Sequence, residues 1–97
     1  MLHIELLKSP GCAACARAEE KVRRMLDWVR DTFPGAQIEE IDLTEQPKAA
    51  AKYGLLGGPA VSINGELAFR GVPREEWFKQ RVTEIARTPE RTKGGVP

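Results

Sequence analysis

What is scarce in this sequence narrows its function first. Two cysteines and one histidine among 97 residues exclude a secreted scaffold held by several disulfides. A closed zinc site asks for four ligands, whereas Cys12, Cys15 and His3 supply three at most and leave carboxylates to complete the set. No metal site within the chain is therefore expected. Net charge is almost absent, with 15 basic against 14 acidic residues and a balance of +1. That gives no electrostatic reason for a polyanionic partner, so nucleic acid is not expected. No apolar run approaches the ~20 residues that span a bilayer, so no membrane partner is expected. Residues Met1 to Ser9 lack the apolar core of a secretory signal, which points to a cytoplasmic protein. The length suits one domain with one modest core.

The patterned segments come next. His3 to Leu7 carries Ile4, Leu6 and Leu7 and stops at Ser9-Pro10-Gly11, a short strand closed by breakers. From Ala13 the residues Ala18, Val22, Met25, Leu26, Val29 and Phe33 recur at intervals of three and four, with Glu19, Glu20, Lys21, Arg23, Arg24 and Arg30 between them. This predicts a long amphipathic helix ending before Pro34-Gly35, with the charged series as its solvated face. Gln37 to Leu43 reads as a second strand near a sheet edge, and Thr44 as the cap of a short helix that stops at Gly54. Ala60–Ile63 and Glu66–Phe69 are joined by Asn64-Gly65, a pair suited to a type I′ hairpin turn. Pro73 opens a last helix with Trp77 or Phe78, Val82, Ile85 and Ala86 on one face. The domain is expected to span residues 1–87, and residues 88–97, with no apolar cluster, form a disordered tail.

Cys12-Ala13-Ala14-Cys15 falls where the first long helix begins. A thiol–disulfide exchanger needs one cysteine ionised at neutral pH and a second able to reach the first sulfur. An isolated thiol with a pKa of ~8.5 is only slightly ionised at pH 7, and unpaired amides at a helix N-terminus favour its anion. Cys12 is then the exposed nucleophile and Cys15, one turn along, resolves the mixed disulfide. The same spacing also occurs in half a zinc site and in copper-carrying loops, so the pair alone leaves three chemistries open.

Lys52-Tyr53-Gly54-Leu55-Leu56-Gly57-Gly58-Pro59, followed by a strand and Asn64-Gly65-Glu66, resembles the thioredoxin segment K-Y-G-x-x-G-x-P with its following strand and turn. The chain is thus identified as resembling the thioredoxin-like superfamily over residues 2 to about 87, in a compact form. The resemblance implies an α/β fold, a three-layer α/β/α sandwich of order β-α-β-α-β-β-α. Its four-stranded mixed sheet would run second, first, third, fourth, with the first and last helices on one face. It implies that Pro59 is cis and lies against the cysteine pair, and that the backbone of Gly58 pairs with an extended substrate. The activity implied is disulfide exchange through Cys12 and Cys15, with no cofactor. A protein disulfide is the substrate, thioredoxin reductase or glutathione the external reductant, and the protein is a monomer.

Departures from the family sharpen the expectations. The common W-C-G-P-C or C-P-Y-C is Gly11-Cys12-Ala13-Ala14-Cys15 here, and Leu6 stands where thioredoxins bury a proton-shuttling aspartate. Alignment raises Glu40, on the neighbouring strand, as a replacement acid. Gly58 in place of a branched residue predicts a broader groove, narrowed again by Val or Ile. Lys8, four residues before Cys12, could support a thiolate. His3 is given no role, and Trp28 and Trp77 are expected to be partial core. Two rivals remain: a glutaredoxin-like protein reduced by glutathione, and a metal or iron–sulfur carrier using the same cysteines between two chains.

Overall fold

The computed structural model describes residues 2–9, 13–55 and 57–87. The elements run β1 (His3–Lys8), α1 (Ala13–Thr32), β2 (Gln37–Asp42), α2 (Pro47–Tyr53), β3 (Ala60–Ile63), β4 (Glu66–Arg70) and α3 (Glu75–Arg87). The sheet order is β2-β1-β3-β4. β1 pairs parallel with β2 and antiparallel with β3, and β3 pairs antiparallel with β4, with an irregularity at Val61/Ser62. The strand order and mixed sheet expected from the sequence are those observed.

Alternation along β1 divides the core in two. Leu2, Ile4 and Leu6 join Val22, Leu26 and Val29 of α1, Val61 and Ile63 of β3, and Phe78 and Val82 of α3. Both long helices therefore cover one face of the sheet. Leu7, from the opposite face of β1, packs with Ile41, Leu43, Leu55 and Ala60, against Ala49, Ala50 and Tyr53 of α2 and the loop beside it. Burying two faces of one strand is what a three-layer arrangement requires.

The hairpin turn follows its sequence: Asn64 and Gly65 have φ of 53° and 87°, the positive values a type I′ turn demands. Asn64 also tethers the start of β1, accepting the His3 amide at 2.9 Å and donating its own amide to the His3 carbonyl at 2.7 Å. Gly54, at φ 66°, closes α2 in the left-handed conformation.

Four local expectations are corrected. Thr44 does not cap α2; the cap position is Gln46, with no side-chain bond, and Pro47 opens the helix. Asp42 takes the local role instead, its Oδ1 accepting the amides of Thr44 at 2.8 Å and Glu45 at 3.3 Å, so those residues form a turn. The last helix starts at Glu75 rather than Pro73, and it buries Phe78 while Trp77 stays 62 % exposed. Ala86 is exposed as well. Trp28 is partial core as expected, edge-on to both Phe33 and Phe78. Residues 88–97, expected to be a disordered tail, lie outside the described residues.

Candidate functional site

β1 ends at Lys8 and α1 begins at Ala13, so the cysteine segment connects the central strand to the N-terminus of the longest helix. Cys15 is half-buried in the first turn of α1, whereas Cys12 lies outside the described residues. That first turn contains no acidic residue over the 20-residue length of the helix. An N-terminal turn without acidic residues of its own favours a thiolate placed at it.

The Gly58–Pro59 bond is cis. Pro59 is buried, and its carbonyl accepts the Gly71 amide at 2.8 Å. The loop lies directly against the strand end that leads to the cysteines. The Gly58 amide donates to Ser9 Oγ at 2.8 Å. A Cβ on Gly58 would stand 2.5 Å from the Leu7 carbonyl oxygen and 3.1 Å from Lys8 Cα. Two expectations change here. Glycine at position 58 is required by close approach of two backbones, so the expected benefit of a wider groove is not its reason. Its amide is also occupied by Ser9, rather than standing open for an extended substrate.

Glu40 does not replace the acid missing at Leu6. It accepts from Arg23 Nε at 2.8 Å, from Arg23 NH2 at 3.0 Å and from Lys8 Nζ at 3.0 Å. The hydrogen bonds from Arg23, together with those from Lys8, outweigh partial burial and hold its carboxyl down at about 2. Such a group stays ionised at neutral pH and accepts no proton there. Lys8 is committed to the same cluster, so its cation serves Glu40. Leu6 is fully buried in the apolar cluster beneath α1 and α3. His3 starts the interior strand β1, at the end remote from Ser9, and contacts Glu39 at 2.6 Å.

Glu19 was assigned by its charge to the solvated face of α1, but it is 6 % exposed. Its Oε2 accepts the Ser9 amide at 3.3 Å, and Oε1 lies 3.9 Å from Arg23 NH2. The sequence did hold a signal for this. Glu19, Val22, Leu26 and Val29 follow each other by three, four and three, so the glutamate occupies the buried stripe. On the other face of the sheet Glu5 Oε1 accepts from Tyr53 Oη at 2.9 Å and from the buried Ser62 Oγ at 2.7 Å, a network the periodicity of β1 did not disclose. Among the described residues, no group of three or more histidine, cysteine, aspartate or glutamate side chains is arranged to hold a metal ion, and no helix is long and apolar enough to cross a membrane.

Comparison with known proteins agrees with this geometry. A family model described as a thioredoxin domain matches residues 2–83. The thioredoxin of Methanocaldococcus jannaschii is 36 % identical over 74 residues, covering 75 % of this chain and 82 % of that protein. A probable thioredoxin of Methanothermobacter thermautotrophicus is 36 % identical over 80 residues, covering 81 % and 91 %. Among solved structures, a protein disulfide oxidoreductase from Aeropyrum pernix superposes with a TM-score of 0.70 at 34 % identity. That match covers 88 % of this chain but 37 % of the other, so this chain corresponds to a little over a third of that protein. The first thioredoxin domain of mouse protein disulfide-isomerase A4 shares the fold, with a TM-score of 0.71 at 20 % identity, covering 99 % of this chain and 73 % of that one. With the mixed sheet, the cis proline at the strand end and a family match across most of its length, the chain belongs to the thioredoxin domain family and is a thiol–disulfide oxidoreductase.

Proposed function

We propose that Cys12 and Cys15 are the redox dithiol and that the substrate is a disulfide in another protein. The observation that carries this is the bond from the Gly58 amide to Ser9 Oγ, which seats the cis-proline loop beside the strand end running into the cysteine segment. The Cys12 thiolate attacks one sulfur of the substrate disulfide, forming a mixed disulfide and expelling the other sulfur as a thiolate, which takes up a proton. Cys15 then loses its proton and attacks the Cys12 sulfur, releasing the second substrate thiol. The substrate gains two electrons and two protons, and the protein is left with a Cys12–Cys15 disulfide. An external dithiol system of the thioredoxin reductase kind, or glutathione, returns it to the reduced form.

Gly58 and Pro59 form the wall along which an extended substrate segment lies, since proline has no amide hydrogen to commit to the sheet. The proposal further takes the protein to act as a cytoplasmic monomer, with residues 1–87 as one domain. Insulin reduction with each donor offered separately tests the reading. Turnover that requires both cysteines is expected, whereas a purified protein carrying stoichiometric metal or an iron–sulfur chromophore, and inactive toward insulin, would favour a carrier.

A further inference from the structure

Glu19 has no part in the exchange as written above, yet it is buried in a stripe that an apolar residue would fill. The buried polar side chains among the described residues are Glu19 and Ser62, and Ser62 is satisfied by Glu5. A carboxylate is costly to bury and needs a compensating hydrogen bond. Helical side chains lean toward the helix N-terminus, and this one leans back toward the cysteine segment. Its Oε2 takes the Ser9 amide at 3.3 Å, and the Ser9 hydroxyl in turn takes the Gly58 amide at 2.8 Å. Two bonds thereby join α1, the end of β1 and the cis-proline loop. The seat has little slack, because Gly58 approaches the Leu7 carbonyl too closely for even a methyl group.

We propose that Glu19 is a positioning residue for the exchange, acting through Ser9, so that the cysteine segment and the substrate-facing proline loop share one register. The proposal rests on the Cys12/Cys15 reading above. Disulfide exchange requires three sulfurs close to a line, and misplacement by about 1 Å can cost ~10²-fold in rate. A tether at Ser9, the residue on the strand side of positions 10–12, controls that alignment.

The test is the rate of insulin reduction, with melting temperatures recorded in parallel, for wild type, Glu19→Leu, Glu19→Gln, Ser9→Ala, the Glu19→Leu/Ser9→Ala double variant and a core control, Val29→Ala. Glu19→Leu and Ser9→Ala should each slow exchange about tenfold or more. The double variant should be about as slow as the slower single, because both break one relay. Glu19→Gln should recover to within about threefold of wild type, since its amide oxygen accepts the same Ser9 hydrogen. Val29→Ala should lower the melting temperature while exchanging within about threefold of wild type. Wild-type rates in Glu19→Leu, losses that multiply in the double variant, a Glu19→Gln variant as slow as Glu19→Leu, or an equal loss in Val29→Ala would each overturn the relay. If Glu19→Leu does not fold, Ser9→Ala and Glu19→Gln decide. A wild-type protein that reduces no insulin would instead remove the dithiol reading itself.

Discussion

The amide of Gly58 and the hydroxyl of Ser9 are 2.8 Å apart, although 48 residues separate the two in the chain. That bond sets the cis-proline loop at the foot of the cysteine segment, and it accounts for the glycine. With the amide held there, the Cα faces the Leu7 carbonyl at a distance that admits no Cβ.

Gly58→Ala should therefore destabilise the fold, and Gly58→Val more so, because the contact is with backbone that cannot swing aside. Forcing atoms into such a contact costs about 1–3 kcal/mol. Urea denaturation followed by circular dichroism would show it as a lower midpoint. An unchanged midpoint for Gly58→Val would mean the loop moves freely from β1.

Much of the fold was legible because its signals are local. Asn64-Gly65 set a turn by backbone preference, and the three-and-four spacing from Val22 to Val29 set the buried face of α1. The candidate site was legible in part, through the cis bond expected at Pro59. What escaped involved contacts distant in sequence. Glu19 carries a charge, so composition placed it in water although its spacing to Val22, Leu26 and Val29 puts it in the buried stripe; the bond that compensates its burial comes from Ser9. The reason for Gly58 lies in Leu7, which no reading of residues 52–59 contains. Thr44 was the expected cap of α2, but it lies in the turn closed by Asp42, and the helix opens at Pro47.

Glu40 should prove structural. Its carboxyl is held near 2 against an ordinary value of 4.5, so its contribution to stability is present above pH 4.5 and is lost as pH falls toward 2. Its side chain is 35 % exposed, and solvent screening limits the contribution to less than ~1 kcal/mol. Glu40→Gln should lower the urea midpoint slightly at pH 6, approach wild type near pH 2.5, and leave the exchange rate and thiol titration unchanged. Equal differences from wild type at both pH values, or a shifted thiol titration, would contradict this.

Phe78 and Trp77 are adjacent but should respond in opposite ways. Phe78 is fully buried and meets Trp28 and Phe69, so Phe78→Ala should cost about 3–5 kcal/mol. Trp77→Ala should stay within about 0.5 kcal/mol. Thermal melts of the two variants check the assignment, and comparable losses would place Trp77 in the core.

The two cysteines should fail differently. Cys12→Ser removes the nucleophile and should abolish exchange. Cys15→Ser keeps the first step, loses the second, and should accumulate the mixed disulfide. Incubating each single variant with a disulfide-bonded protein substrate and weighing the products by non-reducing mass spectrometry tests the central claim most directly. A covalent adduct through Cys12 in Cys15→Ser, and none in Cys12→Ser, is the predicted result; adducts of equal yield in both, or turnover retained in both, would contradict it.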